Sequence, residues 1–210
     1  MNIMEDLKEK LDSALRVSDE VGEKVVLVHN EHLCEIYYDL REVPEAWHFP
    51  LWEIYDRTMD LDTIQDQRCY DNQSFIEALI DPDYLKIVLL VDQAPVGLSL
   101  GTNNLEKARV AYINPEYLKR RYPEAVQGGK LFYLTSGCFA EEVQHMGILP
   151  YYIAASIRSI YENSDIFVAD VSDTTYYMKD AIIYFLRLSG AVVSGEEILG
   201  QQTYFALLKG

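Results

Sequence analysis

The segment YLKIVLLVDQAPVGLSLG, residues 84–101, constrains the fold of this chain more than any other part of the sequence. Two apolar runs flank the short polar stretch Asp92-Gln93-Ala94-Pro95. Two such runs separated by a short turn are typical of an antiparallel β-hairpin. The chain is therefore expected to contain a sheet, and the elements before and after the hairpin decide its topology.

The rest of the sequence predicts strands and helices that alternate. Apolar runs predict strands at residues 25–29, 33–40, 131–140 and 165–172, with a final strand pair in AVV and QQTYFALL. Helical spacing predicts helices at residues 3–17, 150–163 and 175–190 and interrupted helices between 44 and 82, one of them capped by Asp71. Residues 103–129 are predicted to be a long polar connection and residues 141–149 a loop.

The organisation along the chain indicates one domain. No linker rich in proline, glycine or serine divides it. Residues 1–32, an N-terminal helix and a short strand, are expected to extend a main domain of residues 33–210. Strands 131–140 and 165–172 are expected to be parallel neighbours, because helix 150–163 provides the crossover that parallel strands need.

Composition limits the partners. The net charge is −16, from 34 acidic and 18 basic residues, and such a field repels nucleic acid and attracts cations. No stretch is long and apolar enough to cross a membrane, the N-terminus has no apolar signal region, and three scattered cysteines do not form a disulfide framework. We therefore expect a cytoplasmic protein that binds neither nucleic acid nor membranes. Its 16 tyrosines leave a homodimer open.

The order of elements over residues 33–210, together with the segment Gln144-His145-Met146-Gly147-Ile148-Leu149 after the predicted central strand, resembles the GNAT superfamily of acyl-coenzyme A N-acyltransferases. The family carries an Arg/Gln-x-x-Gly-x-Gly/Ala motif at this place. The resemblance implies an α/β (α+β) fold whose central sheet is mixed, mostly antiparallel with one parallel pair, and flanked by helices.

The resemblance also implies a binding site for coenzyme A or acetyl-coenzyme A. Residues Gln144, His145, Met146, Gly147, Ile148 and Leu149 would hold its diphosphate through backbone N–H groups near a helix N-terminus. Phe139 and its neighbours on the central strand would line the acyl-pantetheine arm. No metal is implied. The spacing of His29, His32 and Cys34 does not supply four zinc ligands.

Acyl transfer to an amine needs a base for the ammonium proton and a source of a proton for the departing sulfur. Glu141 and Glu142 are the nearest acidic residues and the candidate bases, with an ordered water as the alternative. The family commonly places a tyrosine near the sulfur, but Leu186 stands at that position here. Tyr176 and Tyr177 are the candidate replacements for that acid.

The sequence leaves three functions open. The first is transfer of an acyl group, with acetyl expected, from coenzyme A to a small-molecule or peptide amine. The second is a non-catalytic module that binds acyl-coenzyme A or a protein partner, which the departures at Leu149 and Leu186 favour. The third is a domain that binds no coenzyme A, because Glu141 and Glu142 put negative charge beside the diphosphate loop. Cys138 is interpreted as a small core residue, and Lys119-Arg120-Arg121 as a solvated helix face.

Overall fold

The computed structural model describes residues 13–59, 69–108, 114–169 and 177–188, together with the single residues 9 and 195. Within these ranges, no helix combines the length and the apolar character that a bilayer crossing requires. The predicted final strand pair and most of the predicted helix 3–17 lie outside the described residues.

The described chain contains seven strands and seven helices. The strands are β1 (Leu15–Ser18), β2 (Glu23–His29), β3 (His32–Leu40), β4 (Tyr84–Val91), β5 (Ala94–Thr102), β6 (Leu131–Phe139) and β7 (Ile166–Ala169). The helices are α1 (Glu45–Thr58), α2 (Asn72–Ile80), α3 (Pro115–Arg121), α4 (Pro123–Gln127), α5 (Glu141–His145), α6 (Leu149–Asn163) and α7 (Tyr177–Leu188).

All seven strands form one mixed sheet in which they lie in chain order. Strands β1 to β6 pair as antiparallel neighbours, and β6 and β7 pair in parallel across the α6 crossover. The predicted hairpin at 84–101 and the predicted parallel pair are both confirmed. A mixed sheet, mostly antiparallel with one parallel pair and flanked by helices, is the fold that the resemblance implied.

The first strand corrects the prediction of a helix that continues to residue 17. Leu15–Ser18 is a strand whose residues pair with β2, from Leu15 opposite Val26 to Ser18 opposite Glu23. The backbone hydrogen bonds of this pairing decide the local structure over the helical spacing of the apolar residues. Strands β1 and β2 thus belong to the same sheet as β3, and the expected division at residue 33 stays a prediction.

Helices cover both faces of the sheet. On one face, α1 and α2 pack over the centre of the sheet, with Leu51, Tyr55 and Phe75 fully buried. The N-terminus of α2 carries the predicted cap, since the Asp71 carboxylate accepts from the Ser74 N–H at 2.8 Å. On the other face, α6 packs its buried side chains against β2, β3, β4 and β6. We call these the α1 face and the α6 face.

Two connections contain more structure than predicted. The polar connection 103–129 includes the short helices α3 and α4, each with a proline in its first turn. The predicted loop 141–149 begins with α5, and α6 starts at Leu149, one residue before Pro150. Only residues 146–148 therefore link the two helices, which shortens the candidate diphosphate loop.

Candidate functional site

Strand β6 has two halves that differ in their pairing. Residues 131–134 pair with β7 on one edge, ending at Leu134 opposite Ala169, and Tyr133 and Leu134 also pair with β5 on the other edge. Residues 136–139 pair with β5, and no described strand pairs with their other edge, since the described part of β7 ends at Ala169. Thr135 is the extra residue of a β-bulge, because Leu100 lies opposite Ser136 while Gly101 lies opposite Leu134. We call residues 135–139 the open half of β6.

The backbone amides of the open half alternate between pointing toward β5 and pointing away from it. The Ala140 N–H donates to the Val96 carbonyl at 2.8 Å, so these two residues form a hydrogen-bonded antiparallel pair. Because such pairs alternate along a ladder, the N–H groups of Gly137 and Phe139 point away from β5. An extended ligand lying along this edge would meet both amides.

The side chains on the α6 face of the open half leave space next to the edge. Gly137 is exposed, and a Cβ built on it would have only the Ser99 hydroxyl within 4 Å, at 3.9 Å. Phe139 is half-buried and packs edge-on against Tyr152, with ring centroids 5.0 Å apart. The predicted contact residue Phe139 thus lies at the end of the open half, held by α6.

The loop after α5 contains a backbone conformation that glycine adopts easily. Gly147 has φ +69°, a left-handed conformation that residues with a Cβ rarely adopt. The Met146 carbonyl before it accepts from His29 Nε2 at 2.9 Å and from Asn30 Nδ2 at 3.2 Å. Since a carbonyl only accepts, His29 carries its proton on Nε2. The turn between β2 and β3 therefore anchors the candidate diphosphate loop.

Few amides of this loop are available to an anion. The N–H groups of Tyr151 and Tyr152 donate to the Ile148 carbonyl, that of Met146 donates to Val143, and Pro150 has none. Among the described hydrogen bonds, none uses the N–H groups of Gly147, Ile148 or Leu149. These three, next to the positive end of the 15-residue helix α6, are the groups that could bind a diphosphate.

The side chains of the predicted diphosphate segment have different surroundings. Ile148 is fully buried, and Leu149 and Met146 pack partly buried against the same core on the α6 face. His145 is exposed at the end of α5. The side chain of Gln144 lies outside the described part of the chain. Leu149, the departure from the family motif, thus packs its side chain against the core.

The two candidate bases lie in the first turn of α5. Glu141 and Glu142 are both exposed, and the positive end of the helix favours their carboxylates. The partial burial that the general-base hypothesis requires is found at neither of them. Both carboxylates also oppose the approach of a diphosphate to the nearby loop.

The candidate acids lie at the limit of the described structure. Tyr176 lies outside the described residues, and Tyr177 begins α7 with a side chain that is not described. Leu186 is in the same helix. The hypothesis that a tyrosine of this region replaces the missing acid stays a prediction.

Cys138, on the open half, has the properties of a core residue. It is fully buried on the α1 face, and burial raises the pKa of its thiol to about 12 from the usual 9. Burial also raises the pKa of Cys34 to about 11. A thiol that stays protonated at neutral pH is a poor nucleophile, which agrees with the interpretation from the sequence.

His32 and the basic cluster lie at the surface. His32 Nδ1 lies 2.7 Å from Asp92 Oδ2, and within the described ranges no three metal-ligating side chains come together. Lys119 pairs with Glu106 and Glu116 and lines an open cavity of about 400 Å³ beside Asp83 and Asn104. This cavity is near the first half of β6, because Thr102 of the adjoining strand end lies opposite Tyr133. It is therefore at the other end of the strand from the candidate diphosphate loop.

Two features of the site were missed from the sequence. The anchoring of the loop by His29 joins residues 117 positions apart, which no local pattern indicates. The bulge at Thr135 is fixed by the Tyr70 hydroxyl, which donates to Thr135 Oγ1 at 2.8 Å. The polar pair Thr135-Ser136 inside an apolar strand was the only signal that could have indicated it.

Comparisons with known proteins find only remote structural similarities to this chain. No family model matches the sequence, and no curated protein matches it. An aminoglycoside acetyltransferase from an uncultured soil metagenomic sample, in complex with sisomicin, is 15% identical over 82% of this chain and 96% of its own, with a TM-score of 0.49.

Two further structures are similar to a comparable extent. Aminoglycoside N-acetyltransferase AAC(6')-Iy in complex with CoA is 12% identical over 84% of this chain and 99% of its own, with a TM-score of 0.44. An uncharacterized protein from Bacillus halodurans is 9% identical over 81% and 78%, with a TM-score of 0.46. At these identities and TM-scores, the ligands of those proteins say nothing about the ligands of this chain.

Proposed function

We propose that this chain transfers an acyl group, with acetyl expected, from coenzyme A to the primary amine of a small molecule or peptide. The observation that carries the proposal is the open half of β6, whose Gly137 and Phe139 amides point away from β5. The five-residue helix α5 follows this half, and the glycine loop at residues 146–148 comes after α5. An acyl-thioester arm along the edge and a diphosphate at the loop fit this order.

The open half supplies hydrogen bonds to an acyl thioester. When the amine nitrogen attacks the acyl carbon, an N–C bond forms and the carbonyl oxygen gains negative charge. An N–H group of Gly137 or Phe139 stabilises this oxygen, an effect typically worth about 3 to 4 kcal/mol per donor. The C–S bond then breaks, and the sulfur leaves as a thiolate that takes up one proton.

Proton transfer accompanies these steps. The amine reacts in its neutral form and gives up one proton after the attack, so the reaction needs a proton acceptor. Glu141 and Glu142 are exposed, and their position supports an ordered water between carboxylate and amine better than direct contact. Tyr176 or Tyr177 is the proposed proton donor to the thiolate, with water as its substitute.

The loop amides supply the binding site for the diphosphate of coenzyme A. The N–H groups of Gly147, Ile148 and Leu149 would donate to its oxygens, and the α6 dipole favours negative charge there. The anchoring of the Met146 carbonyl by His29 and Asn30 holds the loop in place before the ligand arrives. This lowers the entropy cost of binding.

A second candidate function is a module that binds acyl-coenzyme A without turnover. It is favoured by Leu186 at the position where the family supplies its acid, and by two exposed glutamates instead of a partly buried base. General acid–base assistance is typically worth about 10²- to 10⁴-fold, so an enzyme without it would be slow.

Ligand binding and turnover separate the two candidates. A thermal shift with coenzyme A and acetyl-coenzyme A tests binding, because a ligand at 100 times its Kd stabilises the folded protein by roughly 2.7 kcal/mol. Thiol release from acetyl-coenzyme A, followed with a disulfide dye, tests turnover with benzylamine, spermidine and sisomicin. Binding with thiol release supports the acyltransferase, and binding without release supports the module. If neither cofactor form shifts the melting temperature, both candidates are wrong.

A further inference from the structure

The open half of β6 contains a buried hydroxyl that the protein itself does not use. Ser136 is 7% exposed, and its Oγ has no hydrogen-bond partner among the described residues. Buried polar side chains are nearly always hydrogen-bonded, so an exception calls for an explanation such as a ligand. Ser159, which is 6% exposed, shows the usual case, since its hydroxyl donates to the Asp39 carboxylate at 2.9 Å.

Hydrogen bonds of the neighbouring residue Thr135 determine the face of the sheet on which the Ser136 side chain lies. The Thr135 hydroxyl donates to the Leu100 carbonyl at 3.1 Å and accepts from the Tyr70 hydroxyl at 2.8 Å. These bonds fix the bulge, and the bulge changes which residues of β6 face each helix layer. Beyond it, Ser136 lies opposite Leu100 and two residues before Cys138, both of which belong to the core of the α1 face. Ser136 therefore faces α1.

The face that Ser136 occupies is the opposite of the face that carries the diphosphate loop. Ile148, Leu149 and Met146 pack with the core of the α6 face. A coenzyme A held at this loop would approach the edge of β6 from the α6 side. An acceptor has to meet the thioester at the same edge without displacing it, which leaves the α1 side for its approach.

We propose that the Ser136 hydroxyl binds the acceptor amine and orients it toward the thioester. The proposal rests on the proposed acyl transfer. The hydroxyl oxygen accepts one N–H of the neutral amine, so the nitrogen lone pair remains free to attack the acyl carbon. A carboxylate at this position would instead favour the charged ammonium, which has no lone pair to react. The neutral hydroxyl does not add this preference for the charged form.

Steady-state kinetics of Ser136→Ala, with Ser159→Ala as the matched control, test this role. With benzylamine, spermidine and sisomicin as acceptors, we expect Ser136→Ala to raise the KM for an accepted amine at least tenfold. The KM for acetyl-coenzyme A should change less than twofold. Ser136→Ala removes a hydroxyl without an internal partner, so its melting temperature without ligands should not fall. Ser159→Ala should lower the melting temperature and leave the KM for the amine unchanged.

The outcomes separate this proposal from the proposed function. An unchanged KM for every accepted amine in Ser136→Ala overturns the acceptor role, and so does an equal rise in the KM for acetyl-coenzyme A. If the wild-type protein releases no thiol with any amine, the acyltransferase proposal fails first. Calorimetry of the same amines with wild type and Ser136→Ala then decides. A tenfold weaker amine affinity in the variant supports the acceptor site, and no difference, or no binding to either protein, overturns it.

Discussion

The two halves of β6 show how one strand builds the fold and then provides a site. Residues 131–134 all pair with β7, two of them also pair with β5, and their side chains lie almost entirely in the core. The open half is paired with β5 alone among the described strands, and it contains a bulge, an exposed glycine and an unpartnered hydroxyl. Within the described strands, the second edge of this half thus has backbone amides without a strand partner.

Each half places one phenylalanine over a glycine of β5 on the α6 face. A Cβ built on Gly101 would lie 2.1 Å from the Phe132 ring, and a Cβ on Gly97 would lie 2.5 Å from Phe139. The contacts are alike, but Phe132 is 3% exposed and stacks on Phe167 of β7, whereas Phe139 is half-buried. The pair therefore offers the same substitution in two settings.

The largest expected effect is the difference between Phe132→Ala and Phe139→Ala. Phe132→Ala should lower the free energy of unfolding by about 3 to 5 kcal/mol, because it empties a closed core site. Phe139→Ala should cost about half as much, since part of the ring already contacts solvent. Denaturant unfolding measures both values. Equal losses would contradict the division of β6 into a structural half and an open half.

The next effect concerns the glycine of the diphosphate loop. Gly147→Ala should weaken coenzyme A binding at least tenfold, about 1.4 kcal/mol, because the new Cβ would lie 3.4 Å from His29 Nε2 and disturb the loop proposed to bind the diphosphate. Gly129→Ala is the matched control, since Gly129 has φ +63° and open space around its Cβ. Both substitutions place a Cβ on a residue with positive φ, so both cause similar backbone strain. Calorimetry that finds equal affinities for the two variants would show that the loop is only a connection.

The smallest effect tests the burial of the Cys138 side chain. At pH 8 a disulfide dye should modify Cys138 only as fast as the protein unfolds, and half-buried Cys69 should react earlier. Mass spectrometry of partly labelled protein gives the order. Rapid labelling of Cys138 in the folded protein would mean that the α1 face is open to solvent there.

The same thiol gives a pH dependence with a defined sign. Its folded pKa of about 12 is above the usual 9, so its contribution to stability is complete below pH 9 and is lost as pH rises toward 12. Relative to Cys138→Ala, the wild-type free energy of unfolding should fall by about 1 kcal/mol between pH 8 and pH 9.5.

The sequence predicted the sheet well because apolar runs and turns are local signals. The hairpin 84–101, the capped helix after Asp71 and the parallel pair joined by α6 are all confirmed. Residues 15–17 were assigned to a helix wrongly, because pairing with β2 is a contact between segments and leaves little trace in four residues. Helical spacing and a short edge strand are hard to distinguish at this length.

The roles of the candidate site residues stay predictions. The structure places Phe139 at the end of the open half and the glycine loop after α5. The bulge, the direction of the amides and the isolation of Ser136 could not be predicted, because they depend on hydrogen bonds between residues as distant as Tyr70 and Thr135. Whether a serine hydroxyl is satisfied is a property of the packed structure alone.

The hydrogen bond from His29 to the Met146 carbonyl connects the N-terminal hairpin to the candidate diphosphate loop. Strand β2 ends at the residue that supports the candidate diphosphate loop, although the resemblance to a known family covers only residues 33–210. A chain shortened to that range would keep Gly147 and lose its brace. The N-terminal segment, which lies outside that resemblance, thus holds the Met146 carbonyl of the loop in place.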